Sequence, residues 1–563
     1  IEIALVSLLM ATAASWPPIF IIAWGIVIFY CLTSLQRLGI RFVIETALSV
    51  AVLSALTNSW WLAPYLSSLG HQFVHFGETP FYRGFTTLTE YIRFEVNVNA
   101  SAARIIDVVR LFGYWPWFQR EYGAYYVRHY GSVCWFLVSA LIPIFVFVSG
   151  LAKANRRTSM FLFLTVVGLF LAKSTNSPLG CVNAYLYESI PYGWVFVNSF
   201  QNFVLLVALG YSTLLAEGYR LCVAIRPRFR AVFATFLVLV ILVNSYPVFT
   251  NQVYDPPQTY RIPSYYSDLR DWLITRGNDF KLLPLPETQM YQSYDWGYSG
   301  PEILHYFTAT LPLVYGVSGM PYETPLIQRM FDYIRKDSER FIRYARMLHV
   351  RYIVLDNSLS TNYIPESGGG GMNLEGIQGV RFLRHFGKID VYEIQEYIPI
   401  AYVPQTIHVL SGNVTSVPED KFPTSTSAFL LKDHVPVSIL GKLSNASNAS
   451  ILSFERRDTC TFKIQMTSEG PSTLVLGIPF SELWTAQVNG SPASNHFTIN
   501  GFANAWVIEN SGTVQVEITY APQKYVTYGA ILSLMAIGCM TAILAIVRKR
   551  LFVDGVTRLR NLL

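Results

Sequence analysis

Long apolar runs recur through the first half of the chain and return once near its end. Each run is long enough to cross the roughly 30 Å hydrocarbon core of a bilayer as a helix. The pattern predicts membrane-spanning helices at residues 18–35, 42–62, 132–151, 159–174, 200–217, 231–249 and 526–547. The apolar residues 1–14 look like the end of an earlier span, so we expect the sequence to be N-terminally incomplete at Ile1.

Lysine and arginine concentrate in the short connections on one side of these predicted spans. They are Arg37, Arg41, Lys153, Arg156, Arg157, Arg220, Arg226, Arg228 and Arg230, followed by Arg548, Lys549 and Arg550 in the tail. Short basic loops mark the cytoplasmic side of a membrane protein. We therefore expect a multi-pass protein of the cell membrane, with residues 63–131, 175–199 and 250–525 on the extracytoplasmic side.

The pattern changes after residue 250. Residues 280–286, 351–356 and 389–394 are short apolar runs typical of buried strands, and residues 325–349 have the spacing of one amphipathic helix. From about residue 400, short alternating runs are separated by Gly, Asn and Pro turns, which is typical of a β-sandwich. Such sandwiches bind carbohydrate in some proteins and act as spacers in others, and the pattern does not separate the two roles.

The predicted fold class is an α-helical transmembrane bundle plus an exported α/β and β-sandwich region. The expected domains are a polytopic transmembrane domain at 1–249 with an outer loop at 63–131, an exported α/β domain at 250–399, an exported β-sandwich-like domain at 400–525, and a C-terminal transmembrane anchor with a basic cytoplasmic tail at 526–563.

Composition agrees with this organisation. Hydrophobic residues make up 52% of the 563 residues and charged residues 14%, whereas soluble domains carry about 25% charged residues. This excludes a disordered chain, and six scattered cysteines do not predict a disulfide scaffold. No nucleotide-binding loop or zinc signature is present in the sequence, and we expect no nucleic-acid partner.

The predicted outer loop 63–131 mixes charged and aromatic residues. Its candidate acids for proton transfer are Glu78 and Asp107. Its candidate cations for a phosphate group are Arg83, Arg93, Arg110 and Arg120. Candidate aromatic platforms for a sugar are Trp115 and Trp117, although an interfacial aromatic belt explains them equally well.

His71 and His75 are four residues apart and would share one face of a helix. Such a pair could hold a divalent cation, and no other cofactor is expected. The alternative is an interfacial segment of mixed polar and aromatic residues. Glycosylation acceptors with the pattern Asn-x-Ser/Thr in the predicted outer segments are Asn99, Asn413, Asn445 and Asn448.

Three stretches carry a resemblance to a known family. They are "LAKSTNSPLGCVNAYLYESIPYGWVFVNSFQNFVLLVALGYSTLLAEG" (171–218), "LHVRYIVLDN" (348–357) and "WTAQVNG" through "VEITYAPQKYVTYGAILSL" (484–534). Together with the domain order, they resemble the GT-C superfamily of polytopic membrane glycosyltransferases, and within it YfhO-type proteins and actinobacterial arabinofuranosyltransferases.

The resemblance implies a membrane glycosyltransferase that moves a sugar from a polyprenyl-phosphate donor to a glycan, lipid or protein acceptor at the outer face of the bilayer. Members of that superfamily place a catalytic carboxylate in the first outer loop, which would precede Ile1, so the catalytic residue of this chain is unknown. "SYDWGYSG" (293–300) is similar to the Trp-Trp-Asp-Tyr-Gly motif of the oligosaccharyltransferase catalytic subunit. This similarity makes Asp295 and Trp296 candidates for contact with the acceptor, as Trp115 and Trp117 are by their aromatic character. A turn packed by aromatic side chains is the alternative.

The competing function is a non-catalytic surface scaffold or carbohydrate-binding protein anchored by the helical bundle. A transporter is disfavoured because intramembrane charge pairs are absent from the predicted spans, where Glu45 and Glu217 both lie near a membrane end.

Overall fold

The computed structural model describes residues 17–75, 88–115, 132–152, 155–190, 193–249, 260–286, 291–308, 311–314, 323–359, 374–435, 437–441, 443, 448–493 and 495–560. The chain divides into two compact units. The helical unit comprises Ile1–Ala63, Phe85–Thr259 and Tyr528–Leu563, and the sheet unit comprises Pro64–Gly84 and Tyr260–Thr527. The expected fold class is confirmed, because a helical membrane region is combined with a strand-rich region.

The first part of the chain is helical. Its helices are α1 (Pro17–Leu38), α2 (Ile40–Thr57), α3 (Ser59–His75), α4 (Leu88–Ala102), α5 (Ile105–Val109), α6 (Val133–Ala152), α7 (Arg156–Ala172), α8 (Gly180–Glu188), α9 (Ser199–Ile225), α10 (Arg230–Asn244) and α11 (Tyr246–Phe249).

The strand-rich part begins with helix α12 (Tyr265–Ile274) and ends at the last helix. Its strands are β1 (Lys281–Leu285), β2 (Tyr291–Ser293), β3 (Ser299–Pro301), β4 (Val350–Asp356), β5 (Val380–Phe386), β6 (Ile389–Ile394), β7 (Ala401–Tyr402), β8 (Thr406–Leu410), β9 (Ser427–Leu431), β10 (Ser450–Arg456), β11 (Thr461–Ser468), β12 (Ser472–Pro479), β13 (Trp484–Val488), β14 (Ser491–Pro492), β15 (His496–Ile499), β16 (Ala503–Ile508) and β17 (Gly512–Tyr520). The remaining helices are α13 (Leu304–Phe307), α14 (Thr324–Tyr333), α15 (Ser338–Met347), α16 (Val437–Leu440) and α17 (Gln523–Arg560).

Five helices among the described residues are long and apolar enough to cross a membrane. They are Ile40–Thr57, Val133–Ala152, Ser199–Ile225, Pro227–Asn244 and Gln523–Ile546. The other two predicted spans, 18–35 and 159–174, form helices α1 and α7, but the apolar part of α1 is only Pro18–Thr33 and α7 has 17 residues.

The span predicted at 42–62 ends earlier in the structure, at Thr57. Asn58 follows it and donates its side-chain amide to the Ser54 carbonyl at 2.8 Å, at the point where α2 gives way to α3. The predicted outer loop 63–131 is also more regular than expected, since α4 and α5 lie within it. Charged residues such as Glu90, Arg93 and Glu95 interrupt the apolar pattern of α4, so the sequence analysis did not predict this helix.

Small residues let the helices of the helical unit approach closely. A Cβ atom at Gly168 would lie 2.8 Å from the Cβ of Leu206, and one at Gly210 would lie 1.9 Å from Thr165 Oγ1. Glycine, alanine, serine and threonine serve this purpose in membrane helices, where packing rather than the hydrophobic effect drives association. Helix α9 therefore packs directly on α7, and the buried Val207 belongs to the shared core.

Strands β1, β4, β6 and β5 form one sheet in that order, with β1 and β4 parallel and the other pairs antiparallel. The strands predicted at 351–356 and 389–394 are confirmed, and they pair with each other, with Val354 of β4 opposite Val391 of β6. The prediction of a single helix at 325–349 is wrong, because the structure has two helices there. The segment is broken into α14 and α15 because Asp337 caps the second helix, accepting a hydrogen bond from the Arg340 backbone N–H at 3.0 Å.

The later strands form two antiparallel sheets, in the orders β10-β11-β17-β13-β14 and β15-β16-β12-β7. Both sheets contribute to one buried cluster, which includes Phe462, Leu474 and Trp506. A second cluster joins Leu283 of β1 to Phe497 of β15. This second cluster therefore contains residues from both sides of residue 400.

His349 is fully buried, between Leu348 and Val350 of the second cluster. The backbone of His349 is left-handed (φ +64°), and its Nδ1 lies 3.1 Å from the Ile398 carbonyl oxygen. Nearby Lys281 forms a buried ion pair with Glu323 at 2.6 Å. Burial, reinforced by the positive charge of Lys281, lowers the pKa of His349 to about 3. The imidazole therefore stays neutral in the folded chain at physiological pH.

We expect His349 to make the protein acid-sensitive. An unfolded histidine has a pKa near 6.5, so below that pH the unfolded state binds a proton that the folded state does not. The free energy of unfolding should fall by up to about 1.4 kcal/mol per pH unit as the pH drops from about 6.5 toward the folded pKa. The variant His349→Asn, which tolerates the left-handed backbone, should show a shallower fall. Denaturant unfolding at several pH values measures both slopes, and equal slopes would contradict the assignment.

Candidate functional site

The stretch "SYDWGYSG" forms the hairpin between β2 and β3, and we call this region the hairpin site. The Tyr294 N–H donates to the Tyr298 carbonyl at 2.8 Å, and the Gly297 N–H donates to the Tyr294 carbonyl at 3.0 Å. Gly297 has φ +93°, which a residue without a Cβ adopts at little cost. The alternative of a turn packed by aromatic residues therefore describes its local structure correctly.

Aromatic rings surround this turn. The rings of Trp296 and Tyr298 stack nearly in parallel, with centroids 5.4 Å apart and planes 7° apart. Tyr260 packs edge-on against Tyr298 at 5.2 Å, and Tyr294 lies 5.2 Å from Trp296. Trp296 is half-buried, and its indole N–H has no acceptor among the described residues. Tyr260 is 37% exposed, so the cluster reaches the surface of the sheet unit.

A charged pair lies beside the rings. Asp295 accepts a hydrogen bond from the Lys388 ammonium group, and their side chains remain 41% and 55% exposed. This hydrogen bond from Lys388 to Asp295 raises the pKa of Lys388, which therefore stays protonated. The Asp295 N–H donates to the Ser358 carbonyl at 2.8 Å, so the hairpin is tied to the segment that follows β4.

The last residue of β4, Asp356, supports this arrangement from inside. Its carboxylate is buried and accepts hydrogen bonds from the Tyr266 hydroxyl at 2.6 Å and from the Ser358 N–H and hydroxyl at 2.9 and 2.6 Å. Burial raises the pKa of Asp356, and the three hydrogen bonds oppose that rise. Because Asp356 is buried and its oxygens are hydrogen-bonded to Tyr266 and Ser358, it positions the site and does not contact a ligand.

The site lies at the carboxyl ends of the parallel strands β1 and β4. Open α/β sheets bind their ligands in this position, outside the carboxyl ends of the strands. Sugar rings pack on aromatic faces, and an exposed carboxylate beside an ammonium group can exchange its hydrogen bonds for those of sugar hydroxyls. The arrangement of Trp296, Tyr298, Asp295 and Lys388 is thus chemically suited to binding a carbohydrate.

The sequence prediction found two of these residues and missed the rest. Asp295 and Trp296 do lie in one site, whereas Tyr266, Ser358 and Lys388 come from distant segments and carry no local signal. The sequence could have indicated Asp356, because a carboxylate at the end of an apolar strand needs hydrogen-bond donors if it is buried.

In the helical unit, the structure brings two other predicted residues together. Asp107 Oδ1 lies 3.4 Å from Arg110 Nη1, and both side chains are about 95% buried. Asp107 Oδ2 accepts from Arg104 Nε at 2.7 Å, and Arg110 Nε donates to Ser139 Oγ at 2.7 Å. Two arginines hold the Asp107 carboxylate, so neither Asp107 as a base nor Arg110 as a phosphate ligand is supported by this geometry.

The other predicted residues of that region are placed as follows. Arg93 Nη2 lies 3.5 Å from Glu188 Oε2, with Arg93 65% exposed. Trp115 is half-buried beside Tyr114, at 6.4 Å between ring centroids. Glu78, Arg83, Trp117 and Arg120 lie outside the described residues, as do the side chains of His71 and His75 on helix α3. No cluster of three or more His, Cys, Asp or Glu able to hold a metal ion is found in the described part of the chain.

The predicted glycosylation acceptors differ in accessibility. Asn99 is 2% exposed and donates its amide to the Glu95 carbonyl at 2.9 Å and to Asn198 Oδ1 at 3.3 Å, so the folded chain leaves no room for a glycan there. The expectation for Asn99 is therefore not supported. Asn413 and Asn448 are exposed, and Asn445 lies outside the described residues.

A polar cluster that the sequence prediction missed encloses the connection between α7 and α8. Asn176 donates to the carbonyls of Ala100 and Ala103 at 2.7 and 2.9 Å. Asn183 donates to the Phe170 carbonyl at 2.8 Å, and the buried Lys173 donates to the Asn176 carbonyl. These bonds satisfy backbone carbonyls at helix ends, so we assign this cluster a structural role.

Comparison with known proteins adds the following. No protein-family model matches the chain, and no curated protein matches it. The cryo-EM structure of the arabinofuranosyltransferase AftD from mycobacteria is similar, at 12% identity over 92% of this chain and 45% of that chain, with a TM-score of 0.43. A mutant form of the same enzyme is similar at 13% identity over 92% and 47% of the two chains, with a TM-score of 0.41. The chain spans less than half the length of these structures.

We expect Asp356 to affect stability in the opposite direction from His349. A raised pKa means that the folded state binds a proton more readily than the unfolded state, whose aspartate has a pKa near 3.9. The stability of the parent relative to Asp356→Asn should therefore increase as the pH falls from the raised pKa toward about 4. Denaturant unfolding of both proteins between pH 8 and pH 4 tests this, and a difference that does not vary with pH would contradict it.

We expect Asp107→Asn to destabilise the helical unit strongly. Removing the carboxylate takes away the buried acid that pairs with the Arg110 guanidinium, and breaking a buried ion pair typically costs about 3–5 kcal/mol. Arg104→Gln is the matched control, because it removes the 66% exposed partner of the same carboxylate and should cost no more than about 1 kcal/mol. Thermal unfolding in detergent measures both variants, and similar losses would argue against a buried pair.

Proposed function

We propose that this chain is part of a membrane glycosyltransferase and that the hairpin site binds the acceptor glycan. The observation that carries the proposal is the parallel stack of Trp296 and Tyr298 beside the exposed Asp295–Lys388 pair. An aromatic face next to charged hydrogen-bonding groups can hold a sugar ring and orient its hydroxyls. In this proposal the sheet unit lies outside the cell membrane, in agreement with the basic loops and tail.

The donor in this proposal is a sugar linked to polyprenyl phosphate, which the bilayer would supply to the helical unit. The five long apolar helices support a membrane location. Transfer requires a base near the acceptor hydroxyl and cations near the leaving phosphate. Since two arginines hold Asp107, we assign the base to Glu78. The phosphate role falls to Arg83, Arg93 and Arg120.

A second function is favoured by a specific observation. Asp107 is held by two arginines, and Asp356 is 2% exposed and accepts three hydrogen bonds, so neither carboxylate is placed to take a proton from a bound sugar hydroxyl. A chain that binds glycans without transferring them needs no such base. We therefore retain a membrane-anchored carbohydrate-binding protein as the alternative.

We expect Trp296→Ala to weaken glycan binding by the full chain in lipid nanodiscs at least about tenfold, equivalent to about 1.4 kcal/mol. Calorimetric titration with fragments of cell-surface polysaccharide measures the affinity. Lys388→Gln should also weaken binding, because it removes the charged partner of Asp295. The matched control is Lys463→Gln, which alters another exposed pair of the sheet unit, Lys463 with Glu517.

Two outcomes decide between the functions. Transfer of labelled sugar from a polyprenyl-phosphate donor to the bound fragment supports the glycosyltransferase, provided that Trp296→Ala reduces it. Binding without transfer supports the carbohydrate-binding alternative. If Trp296→Ala binds every fragment as tightly as the parent, the hairpin site is not a glycan site.

A further inference from the structure

A cavity in the sheet unit lies against helices α14 and α15 and the segment 417–422. Its volume is about 190 Å³, and we call it the arginine pocket. It is lined by Arg329, Tyr333, Arg340, Arg343, Tyr344, Val417, Pro418 and Phe422. At about 30 Å³ for each water in the liquid, this volume admits more than a single ion. It shares no residue with the hairpin site.

Helical spacing brings the charged and aromatic groups together. Arg329 and Tyr333 are four residues apart on α14, and Arg340 and Tyr344 are four apart on α15. Residues separated by four lie on one face of a helix. Arg343 is three residues after Arg340 and therefore shares that face of α15. Each helix thus presents arginine and tyrosine to the same cavity.

Aromatic rings form the apolar wall of the pocket. Tyr333 and Tyr344 stack with centroids 5.8 Å apart, and Phe422 packs edge-on against Tyr344 at 5.2 Å. The Arg340 guanidinium lies 5.3 Å from the centre of the Tyr333 ring. This cation–π contact holds the guanidinium against the wall of the pocket. A ligand in this cavity therefore meets flat apolar surface as well as cations.

The charges around the pocket do not balance. Arg340 Nε lies 3.3 Å from Asp337 Oδ2, and Arg343 pairs with Glu339, whose side chain is 75% exposed. Arg329 has no carboxylate partner in the described ranges of the chain, and its guanidinium is close enough to Tyr344 to interact with the hydroxyl group. Burial raises the pKa of Tyr344, and the charge of Arg329 opposes that rise. Among the described residues, no acid compensates the charge of the Arg329 guanidinium in this pocket.

We propose that the arginine pocket binds an anionic saccharide unit through its phosphate or carboxylate group. The planar guanidinium of Arg329 can donate two parallel hydrogen bonds to such an oxyanion. The faces of Tyr333 and Tyr344 would lie against the attached sugar ring. Arg340 and Arg343 add positive charge while remaining paired with Asp337 and Glu339. This site is independent of the hairpin site and does not require that the chain transfers sugar.

Titration of the complete chain in nanodiscs with defined probes tests the proposal. The probes are inorganic phosphate, glucose 6-phosphate, glucuronate and glucose. We expect at least one anionic sugar to bind tenfold or more tightly than glucose, and to weaken as salt is added, because salt screens exposed charges. Tighter glucose 6-phosphate identifies a phosphate ligand, and tighter glucuronate identifies a carboxylate ligand. The proposal is overturned if inorganic phosphate binds as tightly as glucose 6-phosphate and glucuronate do. It is also overturned if neither anionic sugar binds more tightly than glucose.

Variants locate the binding. Arg329→Gln should reduce the affinity for the preferred anionic sugar at least tenfold, and Arg329→Lys, which keeps the charge but loses the fork, should give a smaller loss. The matched control is Arg381→Gln, an exposed arginine of the same unit that pairs with Glu393 at 2.7 Å. This control should bind the preferred anionic sugar as tightly as the parent does. Parent-like affinity in Arg329→Gln, with unchanged thermal unfolding, would contradict the assignment.

Discussion

The sheet unit depends on the buried carboxylate of Asp356. A carboxylate can remain away from water only when donors compensate for its lost hydration, and here Tyr266 and Ser358 supply them. Tyr266 belongs to the helix before β1, and the Ser358 carbonyl accepts from the hairpin backbone at Asp295. One buried charge thus joins a helix, the central strand and the aromatic turn that forms the proposed glycan site.

In the helical unit, a buried carboxylate is stabilised by an ion pair. Arg110 and Asp107 are both buried, and each would be costly without the other. Arg104 and Ser139 complete the arrangement. The charges that looked available for catalysis in the sequence therefore stabilise the structure. In contrast, Lys388 with Asp295 in the hairpin site and Arg329 in the arginine pocket remain accessible to a ligand.

The two proposed sites have complementary chemistry. The hairpin site combines an aromatic stack with an exposed acid–base pair, which suits a neutral sugar. The arginine pocket combines guanidinium groups with two stacked tyrosines, which suits a sugar that carries an anion. A surface glycan with both kinds of unit could contact both sites.

The lengths of apolar runs alone determined five of the membrane helices and the strands at 351–356 and 389–394, because a fully buried segment is apolar along its whole length. Resemblance of a short motif was enough to select Asp295 and Trp296. Tertiary structure alone decided the pairing of Asp107 with Arg110, and the contacts of Tyr266 with Asp356 and of Lys388 with Asp295. Those features depend on contacts between residues far apart in the chain or on how a buried charge is satisfied, and neither leaves a periodic pattern.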